Sequence, residues 1–133
     1  MDFLQLKPEL SAKIAVLNPV TKEEMPGVTY TLAGRTSPEF RAAKRLAEKY
    51  SDAEERGVAT FAGAITGWEG FQEGGVSIEP TLENKQRFLD EYDWLLKQVI
   101  EKFTEDETFL PNARNASALS QPSEGGAQPK SGK

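Results

Sequence analysis

The spacing of apolar residues near the N-terminus predicts two β-strands. Residues 13–17 read KIAVL, and residues 28–32 alternate Val, Tyr and Leu with two threonines. Alternation with period 2 among β-branched and aromatic side chains is typical of half-buried strands. Asn-Pro at 18–19 and Pro-Gly at 26–27 are turn signals at the two ends of the connection. We therefore predict a small N-terminal antiparallel β-hairpin, whose apolar face should lie on helices or on a strand of another chain.

The apolar period then changes to three or four residues, which predicts helices. Ser37 is a suitable N-cap for a first helix that should end near Tyr50, and Asp52 is a suitable start for a second. The apolar stripe of the second helix comprises Val58, Phe61, Ala62, Ile65 and Trp68. The second helix is therefore predicted to include Ile65 and Trp68 and to be largely buried.

Glycines at 67–75 interrupt the helical order, and Thr81 caps a further helical pattern. That pattern continues to Phe103 with a break at 92–93, and a last short turn falls at 106–110. The predicted fold is α+β and mostly helical, with the small hairpin followed by three to four helices.

Large apolar residues almost vanish after residue 110, where Leu119 stands alone among Asn, Ser, Ala, Gln, Pro and Gly. Such a composition cannot bury enough surface to offset backbone ordering, which costs about 1–2 kcal/mol per residue. We predict one folded domain at 1–110 and a disordered polar tail or linker at 111–133. The tail holds three basic and one acidic side chain, so the domain carries most of the negative charge.

Composition excludes several kinds of chemistry. The 133-residue chain has no His and no Cys, which removes His-based catalytic triads, thiolate nucleophiles, disulfides and the metal sites built on these ligands. A net charge of −5 disfavours nucleic acid or an anionic membrane as partner, because both attract Lys and Arg. No apolar run approaches the roughly 20 residues of a membrane span. We expect a cytoplasmic binding protein with no catalytic residue, no cofactor and no metal site.

Two sequence features could suggest an enzyme. The glycine cluster at 67–75 lacks the Gly-Lys-Ser/Thr ending of a phosphate-binding loop, which favours a helix end and turn. The carboxylates at 83–93 and 101–107 interleave with Lys and Arg. This interleaving favours the solvated face of a helix over a hydrolase pair, and no calcium-loop pattern is present.

Three stretches of the chain together carry a family resemblance. The first leads from the hairpin through 34–40 (GRTSPEF) into a helix, and the second closes an alanine-rich helix at 65–70 (ITGWEG). The third is 80–95 (PTLENKQRFLDEYDWL), followed by Gln-Val at 98–99 and Phe-Leu at 109–110. Together they resemble the phage or prophage tail assembly chaperones, with Asp93 and Thr108 standing where that family usually has Pro and Asn.

The resemblance implies a mostly helical, non-catalytic protein that acts in the host cytoplasm. Such a protein binds the tape measure protein, recruits the major tail tube protein during long-tail assembly, and is absent from the mature virion. The resemblance also implies a longer form made by ribosomal frameshifting, which would continue from the polar tail. Self-association is left open as a further interaction.

Four apolar residues that lie among glycines or near the end of the domain are predicted to contact a partner. They are Trp68, Phe71, Phe109 and Leu110. Phe71 is also compatible with a contact that caps a helix end, whereas Trp94, beside two leucines, is expected in the core. If Phe71 is a partner contact, Phe71→Ser should weaken binding and leave the melting temperature nearly unchanged.

Three other functions remain as alternatives. The strongest is a virion structural protein, such as a tail-completion or head–tail connector subunit, which mass spectrometry would detect in purified virions. A small carboxylate enzyme would need two buried carboxylates in one cleft. A host regulatory adaptor would show itself by its gene neighbourhood.

Overall fold

A computed structural model describes residues 2–110. The predicted hairpin is present, with β1 at Ser11–Leu17 and β2 at Glu24–Ala33 in antiparallel register. A third strand, β3, covers Ile65–Glu69 and pairs antiparallel with the other side of β2, giving the order β1-β2-β3. A separate two-stranded ribbon joins β4, Gln72–Glu73, to β5, Val76–Ser77.

Four α-helices make up most of the rest of the described chain. They are α1 at Pro38–Ala47, α2 at Ala53–Ala64, α3 at Leu82–Glu91 and α4 at Asp93–Thr104. Short 3₁₀ helices lie at Phe3–Leu6 and Asp106–Phe109. Of the described residues, 47% lie in helices and 24% in strands, which confirms the predicted α+β class with more helix than strand. The predicted disordered tail, 111–133, lies outside the described residues.

The helix starts follow the capping side chains that the sequence predicts. Ser37, Asp52 and Thr81 each accept a hydrogen bond from the backbone N–H three residues ahead, at 3.0 to 3.1 Å. These bonds satisfy N–H groups that the first turn of a helix leaves free. The predicted break at 92–93 is also confirmed, because Tyr92 separates α3 from α4.

The prediction that Ile65 and Trp68 belong to the second helix is wrong. α2 ends at Ala64, and the next five residues form β3, in which Trp68 lies opposite Tyr30 of β2. The apolar spacing suits both structures, since Ile65 and Trp68 are both buried in the strand. As a strand, this segment gains backbone hydrogen bonds to β2, which it would not make if α2 continued through Gly67. The pairing with β2 therefore overrides the helical spacing of the apolar residues.

The core lies between the inner face of the sheet and the helices. Its most deeply buried large side chains come from both layers: Val16, Tyr30, Leu32, Ile65, Leu89 and Val99. α1 packs chiefly on α2 and forms the outer layer of the helices. The hydroxyl of Tyr30 has no hydrogen-bond partner among residues 2–110, and burial raises the pKa of this phenol.

Substitution by alanine should change the stability in opposite directions at two glycines of α2. A Cβ on Gly63 would lie 2.5 Å from the Cβ of Ala43 in α1, whereas a Cβ on Gly57 would meet nothing within 4 Å. Gly63→Ala should therefore lower the free energy of unfolding by about 1–3 kcal/mol through overpacking. Gly57→Ala should raise it by about 0.5–1 kcal/mol, because alanine suits a helix better than glycine. Urea unfolding of both variants checks this, and a shift of the same sign in both would contradict the close α1–α2 packing.

Candidate functional site

The structure places two of the four predicted partner contacts in the core. Trp68 and Phe71 are only 8% and 7% exposed. Their rings stack with centroids 4.1 Å apart and planes within 5°, and Phe88 of α3 packs against both. The indole N–H of Trp68 donates to the carbonyl of Ile78 at 2.8 Å. These rings therefore form part of the folded domain's interior.

Phe109 and Leu110 lie at another place in the fold. Phe109 is 7% exposed, and its carbonyl accepts a hydrogen bond from the backbone N–H of Glu9 at 2.8 Å. Leu110 is half-buried and lines a small pocket of about 180 Å³ beside Phe109 and Arg35. The four residues thus do not form one exposed surface, and the sequence-based expectation of such a surface is corrected. Three of them offer a partner little area.

A larger apolar groove lies where the sheet, the β4–β5 ribbon and α4 meet. Its volume is about 340 Å³, and most of its lining area is apolar. The groove is lined by Val16, Met25, Val28, Gly70, Phe71, Gln72, Phe88, Tyr92, Trp94 and Leu95. Met25, Val28 and Trp94 are half-buried, so each presents side-chain surface to the groove. This open apolar concavity is the candidate functional site.

Phe71 and the β4–β5 ribbon form one wall of the groove, and turns with positive φ shape this wall. Gly70 has a φ of +80° and lies so close to Gly27 that an added Cβ would overlap the Gly27 carbonyl. The reversal at Gly70 sends Phe71 back under Trp68, and the N–H of Ile78 donates to the Phe71 carbonyl at 2.9 Å. Gly74 and Gly75, both at positive φ, close the ribbon.

Polar side chains tie the walls of the groove together. The amide of Gln98 on α4 accepts from the N–H of Leu17 at 3.1 Å and donates to its carbonyl at 2.7 Å. This pair of bonds fixes the end of β1 against α4. Opposite it, the carboxylate of Glu73 accepts hydrogen bonds from Arg87 and from the hydroxyl of Tyr92, at 2.8 and 2.6 Å. The ribbon is thereby anchored to α3 and to the α3–α4 junction.

The hydrogen bonds to Glu73 also set its ionisation. Donation from the Arg87 guanidinium, and then from the Tyr92 hydroxyl, lowers the pKa of the Glu73 carboxyl. The contact therefore stabilises the fold above the ordinary pKa of a glutamate and is lost as the pH falls through the lowered pKa. Because these side chains are partly exposed to solvent, the ion pair adds little stability.

The charges next to the groove are mostly negative. The acidic neighbours of its lining residues along the chain are Glu24, Glu69, Glu73, Glu91 and Asp93. Four of these carboxylates are ion-paired: Glu73 and Glu91 with Arg87, Glu69 with Lys13, and Asp93 with Lys97. The groove therefore combines an apolar floor with neighbouring charges that are largely paired with one another, which suits a mainly apolar segment.

No family model, curated protein or solved structure matches this chain. The likeness to the tail assembly chaperones thus rests on its sequence motifs. Within residues 2–110 no helix is both long and apolar enough to cross a membrane, and no three acidic side chains are grouped to hold a metal ion.

Sequence reasoning missed two features of this region. Met25 falls in the charged connection between the predicted strands, where no periodicity marks it, and only the extended β2 brings it to the groove. The interleaved charges at 83–93 predict a solvated helix face that includes Lys85, but Lys85 is buried and its ammonium donates to the carbonyl of Ile65 at the end of α2. Desolvation lowers the pKa of Lys85. A cation at the C-terminus of a helix interacts favourably with the helix dipole.

Proposed function

We propose that the protein is a non-catalytic tail assembly chaperone of a long-tailed phage or prophage. In this proposal it binds the tape measure protein, recruits the major tail tube protein and leaves before the virion is complete. Support comes from the three sequence stretches that resemble this family, which lie at the entry to α1, in β3, and along α3 and α4. A frameshifted longer form and action in the host cytoplasm belong to the same proposal.

The apolar groove is the observation that favours a binding role. A groove of about 340 Å³ that exposes Met25, Val28 and Trp94 suits the apolar side chains of a peptide segment or helix. Its small size and open shape favour a complex of modest affinity that a competing interaction can displace. A chaperone that must leave its client needs such a complex.

The test places a charge in the groove. We expect Met25→Glu to weaken binding of a co-expressed tape measure fragment at least about tenfold, because a bound apolar segment would bury the new carboxylate without a partner. Trp94→Ala should weaken binding as well, by removing an aromatic anchor. Titration of the purified fragment by calorimetry gives the affinities, and the melting temperature of each variant is measured beside them.

Val20→Glu is the matched control, because Val20 is 84% exposed and does not line the groove. It adds the same charge in the connection that precedes β2, five residues before Met25, and should leave the affinity unchanged. If Met25→Glu and wild type bound the fragment with equal affinity, the fragment would not bind in the groove. Abundant copies of the protein in mature virions would instead favour a structural subunit such as a connector.

A further inference from the structure

The basic residues of the domain are concentrated in one segment. Residues 35–49, which contain α1, hold five basic and two acidic side chains. The remainder of residues 1–110 holds eight basic and eighteen acidic side chains. A positive region therefore stands on a domain that is otherwise strongly negative.

The packing of α1 leaves these cations in solvent. Ala43 and Ala47 are buried, and the close contact of Ala43 with Gly63 fixes this side of α1 against α2. The opposite side carries Arg41 and Arg45, with Lys44 at one edge and Ala42 and Leu46 towards the other, and all five residues are exposed. We call these five residues the α1 outer face. Leu46 is 68% exposed, so the face joins an apolar side chain to three cations.

The three cations of this face have no ion-pair partner among the residues that the structure describes. Elsewhere in this part of the chain Lys13, Arg87, Lys97 and Lys102 each pair with a carboxylate. Arg41, Lys44 and Arg45 do not come within 4.0 Å of one, although Glu48 follows directly after α1. Arg41 and Arg45 are also spaced i,i+4, where like charges destabilise a helix. The outer face thus carries a repulsion that a negatively charged partner would relieve.

We propose that the α1 outer face is a second binding surface, which takes an acidic amphipathic segment of another protein. Carboxylates of that segment would pair with Arg41 and Arg45, and an apolar side chain would cover Leu46 at the edge of the face. A protein suits this face better than nucleic acid, because an apolar side chain of a protein can cover Leu46, whereas a phosphate backbone cannot. The inference goes beyond the proposed function, since it does not depend on what fills the apolar groove.

The experiment uses a fluorescein-labelled peptide with Leu and Glu at helical spacing, and the full chain. We expect wild-type protein to bind this peptide, and the affinity to fall as salt is raised. Arg41→Gln/Arg45→Gln should weaken binding about tenfold, which is the combined effect of two charge pairs on a partly covered surface. Leu46→Ser should weaken it as well. A peptide with Gln in place of Glu should bind far more weakly.

Lys7→Gln/Lys22→Gln is the matched control, because it removes two exposed cations from other parts of the chain. It should keep the affinity within about twofold, since neither lysine lies on the α1 outer face. Trp94→Ala should also leave peptide binding intact, which separates this surface from the groove. Glutamine retains helix propensity and removes the repulsion between the two arginines, so the Arg variants should melt at or slightly above the wild-type temperature.

Three results would overturn the inference. The first is equal loss of affinity in the two double variants, which would mean unspecific attraction. The second is tighter binding of an oligouridine RNA than of the peptide, with loss of RNA binding in Arg41→Gln/Arg45→Gln. The third is a salt-sensitive dimer that the same variant dissociates, which would assign the face to a second copy of this chain.

Discussion

Phe71→Ser is expected to lower the free energy of unfolding by about 3–5 kcal/mol, which is the usual loss when a buried aromatic ring is truncated. Phe71 is 7% exposed, stacks on Trp68 at 4.1 Å and packs on Phe88 with ring centroids 5.9 Å apart. Serine would leave a cavity under Trp68 and place a hydroxyl in an apolar surrounding. Urea unfolding followed by tryptophan fluorescence measures the loss.

Phe3→Ser is the matched control, because it makes the same chemical change at a ring that is 80% exposed. It should change the stability by no more than about 0.5 kcal/mol. If Phe71→Ser were as mild as the control, the stacked arrangement of Trp68 and Phe71 would be contradicted. Phe71 would then be interpreted as an exposed partner contact, which its position among glycines allows.

The sequence misplaces Phe71 for a physical reason. Glycines on both sides indicate a turn, where a large apolar residue is compatible with either a contact that caps the helix end or a partner contact. The outcome depends instead on Gly70, whose positive φ turns the chain back so that Phe71 points under β3. Trp68 then shields Phe71 from solvent. Local pattern identifies the turn but not the direction in which it sends the next side chain.

Much of the fold could be predicted because its signals are local. Ser37, Asp52 and Thr81 cap helices through backbone groups three residues away, and the hairpin alternation extends over neighbouring residues. β3 could not be predicted in this way. Its partner, β2, lies more than thirty residues earlier in the chain, and helical and extended backbones both bury Ile65 and Trp68. The pairing with β2 decides between them.

The apolar groove depends still more on distant contacts. Met25 and Trp94 line it together, although they are far apart in sequence and belong to different layers. The bonds between Gln98 and Leu17 and between Tyr92 and Glu73 join elements that no local pattern connects. The cluster of Lys and Arg residues in α1, by contrast, can be seen in the sequence alone. What the structure adds is that α2 covers the other side of α1 and leaves the cations outside.

Gly70→Ala should produce a loss of stability comparable with that of Phe71→Ser, although it adds one methyl group at an exposed position. Two terms add up. A φ of +80° costs an alanine about 1–2 kcal/mol. The added Cβ would also overlap the carbonyl oxygen of Gly27 and come within 3.2 Å of the Cα of Val28. Since both neighbours are backbone atoms of β2, they can retreat only by opening the pairing of β2 with β3. Thermal unfolding should show a marked fall in melting temperature.

Gly75→Ala separates the two terms of this loss. Gly75 has nearly the same φ, +81°, but a Cβ there would meet nothing within 4 Å. Gly75→Ala should therefore lose only the stability that a positive φ costs an alanine, about 1–2 kcal/mol. The excess loss in Gly70→Ala then measures how tightly Gly27 and Gly70 hold the groove wall. Because Val28 lines the groove next to Gly27, the same variant should also weaken binding of the tape measure fragment, whereas Gly75→Ala should not. Equal losses in the two variants would mean that the close approach of these strands does not shape the groove.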